Sequence, residues 1–344
     1  MIIKEFRELR RDRRTMAMLL VLPILLLIIF GYAANFSVDS IATAAVGPRA
    51  DVVAANIPDF FDITEVDPSG DASTAETLLQ DNVVDVAVDT STQPPTAYVD
   101  GSSLFTAQAA VSVLGRLGGG ITVDVLYNPD LITAWVMVPA LTGLILMFIG
   151  TVVTSIGLVR ERENGTLEQL AVMPLSPTSV VFGKITPYFI LASLDMVVVT
   201  VLGIVLFDVP FNGNPALFAL GAALFLLVVL GIGVFISTVS QTTGQAIQLA
   251  FFFLLPQILL SGMIFPLEAI PWGVRWISYL LPLTYYTMIA QGVMLRGADL
   301  ASLWAPFLIL SVMAVLAFGG ATLRFRRDLA PEASARSSRS GGDT

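Results

Sequence analysis

Long uncharged runs separated by short polar breaks make up most of this chain, except between Phe36 and Leu131, where apolar stretches shrink to a few residues each. Met16 to Ala34 is 19 residues without a charge. As an α-helix that is about 28 Å, enough to cross a hydrocarbon core of about 30 Å. A cleavable signal peptide ending near Ala33 is the rival reading, but signal cores hold only about 7 to 15 apolar residues. Further runs follow at Leu131–Val159, Ile185–Phe207, Pro215–Ile236, Leu249–Phe265 and Leu300–Leu323. The pattern predicts six transmembrane helices, the first over 16–35 and the other five within 132–326. Ser237 to Gln248, polar but uncharged, reads as a tight turn between the fourth and fifth. Pro256 inside the fifth run requires neighbours that satisfy the carbonyl it frees, and so favours a place within the bundle.

The Phe36–Leu131 segment follows a different rule. Short strands are predicted at Ile41–Val46, Phe61–Val66, Val83–Val88 and Thr96–Val99, and helices at Ser73–Gln80 and Ser102–Leu117. Gly118 to Gly120 marks a flexible exit. The predicted fold class is therefore an all-α polytopic membrane protein of six transmembrane helices, with a small α+β extracytoplasmic domain, 36–131, inserted between helices 1 and 2.

Charge fixes the orientation this implies. Within 344 residues, 55% are hydrophobic and only 13% charged, far from a soluble composition. The basic stretch 1–15, with Lys4 and five arginines, should stay in the cytoplasm, as should Arg160, Arg162, Lys184, Arg324, Arg326, Arg327, Arg336 and Arg339. Fourteen of the eighteen basic residues then lie inside. Of the net charge of −9, the 36–131 segment alone contributes −12, from fourteen acids and two bases. Its carboxylates have no metal-ligand spacing and read as solvated surface. Acid excess with arginine favoured over lysine suggests a salt-adapted source, a halophile. The tail 327–344, rich in Ser, Gly and Ala, reads as disordered.

Cysteine and histidine are both absent. Thiolate and imidazole chemistry, zinc sites and the commonest general base are excluded together, which leaves no catalytic or metal-site candidate. Asp195 interrupts the third span, where a carboxylate costs about 2.5–3.5 kcal/mol. It is either a pathway residue facing a wet cavity or a buried polar tie between helices.

The richest stretch is Arg160 to Tyr188. Arg160, Glu161, Arg162, Glu163 and Glu168 are incompatible with hydrocarbon, whereas Leu158, Leu167, Leu170 and Val172 need cover, which predicts a short amphipathic helix on the membrane surface over 159–172. Pro174 and Pro177 end it. The ordered run Arg162, Glu163, Gly165, Thr166, Leu167, Glu168, Gln169, Leu170, then Pro174, Leu175, Ser176, Pro177, Gly183 and Lys184, resembles the cytoplasmic coupling segment of ABC-2-type transporter permeases. Tyr127, Asn128 and Pro129 are similar to the motif that closes the external domain in that family. Phe265, Pro266, Leu267, Glu268, Pro271, Trp272, Trp276 and Pro282–Tyr285 resemble its external re-entrant region, here 265–287, with Glu268 as a second candidate at the mouth of a pathway.

The resemblance implies the membrane subunit of an ABC exporter, paired with a second permease copy, likewise embedded in the lipid bilayer, and with a separate ATP-binding subunit. Arg160, Glu161, Arg162, Glu163, Gly165, Thr166, Leu167, Glu168 and Leu170 would then receive the ATPase stroke. No phosphate-cradling G-x-x-x-x-G-K-[ST] run exists in this chain, since Gly183-Lys184 is followed by Ile185. ATP and Mg²⁺ therefore belong on the partner, and the chain itself is expected to be no enzyme and to bind no nucleic acid. The substrate stays open among drugs, lipids, glycans and sodium ions. The alternative from another class is an ion-coupled secondary transporter working through Asp195.

Overall fold

The computed structural model describes residues 40–117, 120–164 and 177–329, with backbone alone at 162, 177–182, 184, 268 and 324–329. The first predicted span, the basic N-terminus, Gly165–Ser176 and the last fifteen residues lie outside that description.

Strands and helices alternate through the first part: β1 (Ile41–Val46), α1 (Ala50–Asn56), β2 (Phe61–Asp67), α2 (Ala72–Gln80), β3 (Val86–Asp89), β4 (Thr96–Asp100), α3 (Leu104–Arg116) and β5 (Thr122–Leu126). One sheet forms in the order β2-β1-β3-β4-β5, parallel throughout except for the β3–β4 pair. Parallel pairing needs helical crossovers, and these cover both sheet faces. Ile41, Phe61, Val86, Val88 and Val99 pack under α3 on one face, while Ala44, Val46 and Ala87 pack under Ala75 and Leu79 of α2 on the other. Hence β3 is apolar at consecutive positions and buried along its whole length. The helices are interleaved with the strands rather than segregated from them as an α+β layout would have it.

Asn128 ties this sheet to the helices that follow. Its buried amide donates to the Gly101 and Ile132 carbonyls at 3.3 and 3.2 Å and accepts from the Ile132 N–H at 2.8 Å. Just beyond starts α4 (Thr133–Phe148), which passes through one π turn (Ile149–Val153) into α5 (Thr154–Glu163). The rest of the helical part comprises α6 (Pro177–Phe207), α7 (Pro215–Val239), α8 (Thr243–Leu260), α9 (Trp272–Ser278), α10 (Pro282–Gln291), a second π turn (Gly292–Arg296) and α11 (Trp304–Leu329). Among the described residues, five helical stretches are long and apolar enough to cross a membrane: Thr133–Glu161, Ile185–Phe207, Pro215–Val239, Thr243–Leu260 and Trp304–Leu323. The described part is thus mostly helical, as a polytopic membrane protein requires.

Boundaries at α8 and α11 differ from the expected ones. Helix α8 begins at Thr243, so the polar stretch is a turn only at Ser240–Thr242. Its hydroxyls serve the helix ends instead: Ser237, Thr238 and Ser240 donate back to carbonyls three or four residues earlier, and Thr242 caps α8 by accepting from the Gln245 N–H. At the far end α8 stops at Leu260, where Gly262 turns left-handed at φ +84°. Helix α11 runs on to Leu329, so 327–329 belong to a helix rather than to a disordered tail.

Helix α7 is the centre of the bundle, buried on nearly every side and lying against α5, α10 and α11. Close approach depends on its glycines. A Cβ on Gly233 would lie 2.8 Å from the Gly150 carbonyl oxygen, and one on Gly231 3.0 Å from the backbone of Ala317. Phe225 stacks on Tyr286 of α10 at 4.6 Å between ring centroids, and the Tyr286 hydroxyl lies 2.9 Å from Thr142 Oγ1 on α4. By contrast α6 turns Ile190, Leu191, Leu194, Val198, Val201 and Val205 outward, the surface that lipid demands.

Candidate functional site

The predicted coupling residues begin at the last turn of α5. Thr154 to Glu163 forms one helix that continues the second span, so Arg160–Glu163 prolong that span past its apolar part and do not start a separate surface helix. The reason is local: nothing between Leu158 and Glu163 breaks a helix, and Arg, Glu and Leu all favour one. Arg160 and Glu163 are exposed and Glu161 is half-buried. Arg162 is described in backbone only, and Gly165, Thr166, Leu167, Glu168 and Leu170 lie outside the described residues.

Glu163 has a partner that the sequence alone does not suggest. Its carboxylate accepts from the Thr243 N–H at 2.9 Å through Oε1 and from the Thr243 hydroxyl at 2.8 Å through Oε2. Thr243 opens α8, so a carboxylate from one span caps the N-terminus of another, where free N–H groups and the helix dipole favour negative charge. Those hydrogen bonds, first the backbone one and then the hydroxyl, with Arg160 nearby, hold the Glu163 carboxyl below its ordinary value of 4.5. The uncharged turn between α7 and α8 thus receives its charge from α5.

At the other end of the α4–α5 helix, a second polar cluster fastens the sheet to the bundle. Arg296, at the close of the second π turn, is 7% exposed. Its Nη1 donates to Asn82 Oδ1 at 2.9 Å and Ser102 Oγ at 3.1 Å, and lies 3.6 Å from the fully buried carboxylate of Asp100. Gln80 Nε2 donates to the Arg296 and Gly297 carbonyls at 3.2 and 3.4 Å, and the Ser302 hydroxyl donates to Asp81. Burial, with the Asp100 charge adding to it, pushes the nearby Tyr127 phenol up to about 12. Neither Asp100 nor Arg296 was a candidate from sequence. Arg296 is a lone cation between Leu295 and Gly297, and that isolation in an apolar stretch was the available signal.

The two pathway candidates lie on other elements, α6 and the α8–α9 connection. Asp195 sits half-buried on α6 beside the buried Ala192, Met196 and Thr200, and its Oδ2 is buried with no hydrogen-bond partner among the described residues. Glu268 falls in a single 3₁₀ turn, Leu267–Ala269, within the proline-broken stretch before α9. That stretch exposes Trp272, Trp276 and Leu280.

A family model described as "ABC-2 family transporter protein" matches residues 13–323. Among curated proteins, the probable multidrug ABC transporter permease YbhR of Escherichia coli (strain K12) is 30% identical over 360 residues, covering 95% of this chain and 97% of the relative. The probable multidrug ABC transporter permease YbhS of the same strain is 28% identical over 364 residues, with 95% and 96% covered. The inner membrane transport permease YhhJ, also of that strain, is 36% identical over 211 residues, or 59% of this chain and 54% of the relative. A match running from the N-terminal basic stretch through the last span takes in the sheet, both polar clusters and every described span, so the chain belongs to the ABC-2 family as a membrane subunit of an ABC transporter.

Proposed function

We propose that this chain is the membrane-spanning half of an ATP-driven exporter and that its ATP-hydrolysing subunit docks at the α5 end of the bundle, on Arg160–Leu170. The observation that carries the reading is the Glu163–Thr243 contact, placed within the one segment whose motif resembles a coupling element. A push on the segment after Glu163 reaches α8 directly through this capping carboxylate, and reaches α4 through the continuous α4–α5 helix. Two spans then respond to one input. An exposed contact of this kind is weak enough to break and remake in a cycle. ATP and Mg²⁺ sit on the partner, and two copies of the present chain complete the pathway. Both termini lie in the cytoplasm and the sheet lies outside, as the distribution of basic residues favours. The relatives' names as multidrug permeases make small amphiphilic drugs the first cargo class to assay.

The test is the double variant Glu163→Ala with Leu167→Ala in the complex reconstituted with its ATPase. Transport should fall at least about tenfold per ATP hydrolysed while the complex stays monodisperse. Unchanged transport contradicts the assignment.

The unpartnered Oδ2 of Asp195 favours examining a second reading, ion-coupled transport without an ATPase. Asp195→Asn separates the two. In the exporter ATP-driven transport persists, whereas loss of a proton-gradient response in the isolated chain supports the ion-coupled mechanism.

A further inference from the structure

The helix that runs from the sheet end of the bundle to Glu163 is not regular. Between α4 and α5 it passes through the π turn Ile149–Val153, where i→i+5 hydrogen bonding replaces α geometry. Such a turn holds one residue more than an α turn over the same path. The other π turn, Gly292–Arg296, presents Arg296 to Asp100, Asn82 and Ser102. The turn at 149–153 has no such contact. Its polar side chain, Thr151, and Thr154 just beyond it are fully buried, and neither hydroxyl has a hydrogen-bond partner among the described residues. Elsewhere in the same helix Thr142 and Ser155 donate to carbonyls three residues back, Pro139 and Val152, at 2.6 and 3.0 Å. That is how such hydroxyls are met in a regular helix. The wall facing the turn leaves it room to shift: Gly233 of α7 meets it without a side chain, and a Cβ there would lie 2.8 Å from the Gly150 carbonyl oxygen and 3.1 Å from that of Thr151.

We infer that the α4–α5 helix has two registers, exchanged by moving the extra residue from 149–153 to the end of α5. In the second register 149–153 is plain α-helix, and Thr151 and Thr154 gain carbonyl partners. Residues 154–163 meanwhile turn by about 100° and shift by about 1.5 Å, one residue's share of an α-helix. Position 162 then stands where 163 stands now, which brings an arginine in place of the carboxylate to the N-terminus of α8, where the helix dipole disfavours a cation. The gain at the two threonines is set against the loss of the Glu163–Thr243 contact, so the balance is open to a push at the α5 end. That the ATPase subunit supplies the push rests on the function proposed above. The two registers do not, and their test needs no ATPase.

The experiment is amide hydrogen exchange over 154–163 with the full chain in lipid nanodiscs. Each passage between registers opens the hydrogen bonds of α5, so these amides exchange through it. Deleting Val153, an exposed residue, removes the extra residue and leaves both flanks in their present places. Exchange over 154–163 should then slow by about tenfold or more. Val153→Ala keeps the residue count and should exchange at the wild-type rate. Thr151→Val with Thr154→Val keeps shape and removes the two unmet hydroxyls, which favours the present register and should slow exchange about tenfold. If the deletion unfolds the chain, read as lost protection of α7, the threonine pair decides alone. The inference is overturned by any of three results: exchange unchanged in the deletion with α7 still protected; exchange unchanged or faster in the threonine pair; or equal slowing in Val153→Ala and the deletion. None of these touches the docking test on Glu163 and Leu167.

Discussion

The two polar clusters at opposite ends of the α4–α5 helix are built to opposite standards. At the sheet end, Arg296 and Asp100 are buried, charged and tied to Asn82, Ser102 and Gln80. At the α5 end, one exposed carboxylate holds one half-buried threonine. Breaking the first strands a charge away from water, whereas breaking the second merely hands both partners to solvent. The difference teaches that the molecule is fastened at one end and left able to move at the other.

Arg296→Met should show the largest effect. Removing one partner of a buried pair leaves Asp100 uncompensated and costs about 3–5 kcal/mol, read as a fall in the thermal midpoint in detergent. Combining it with Asp100→Leu should restore part of that loss, because neither charge is then stranded. Equal destabilisation by the single and double variants would break the comparison.

Asn128→Ala comes next. It leaves the Gly101 and Ile132 groups unmet beside a buried gap, at a cost of about 1–3 kcal/mol, measured the same way. Hydrogen exchange should rise first at Ile132, whose N–H loses its acceptor, and leave α7 protected.

Thr243→Val should scarcely move the midpoint, since the Glu163 carboxylate is fully exposed and keeps the Thr243 N–H. Acid sharpens the point. Because the Glu163 carboxyl is held below 4.5 in the folded chain, its contribution is fully present above 4.5 and is lost as pH falls through the lower, folded-state value. Titration by infrared difference spectroscopy should show a carboxylate band that vanishes in Glu163→Gln, with a midpoint below 4.5. A midpoint above that value contradicts the capping role.

The smallest perturbation tests which end faces which side. With no cysteine in the chain, Ser302→Cys and Asn164→Cys each offer one thiol. In intact cells a membrane-impermeant maleimide should label the first and not the second, and the reverse pattern would invert the proposed topology.

The sequence reveals the helical part because crossing a membrane imposes a simple composition, and α6 ends at Phe207 where the third span was expected to end, although it starts earlier, at Pro177. In the sheet, β1 occupies the expected Ile41–Val46. Two elements were missed there. Helix α1 has only seven residues and no side-chain cap, and β5 is an edge strand, Thr-Val-Asp-Val-Leu, following a glycine run that signals a loop. Within the candidate site, the motif that resembles a coupling segment is legible, but the Glu163 partner is not, because Thr243 is 80 residues away. The Arg296–Asp100 pair hides for the same reason. Long-range hydrogen bonds leave no period in a sequence, and an isolated arginine in an apolar stretch is a hint only once its burial is known.

Photocrosslinking reaches the central claim most directly. With p-benzoylphenylalanine replacing Arg160 in one variant and Ser302 in another, the account predicts an adduct from position 160 with a protein carrying a Walker motif, and none from position 302. The same adduct from position 302, or none from position 160 in an actively transporting complex, would contradict it.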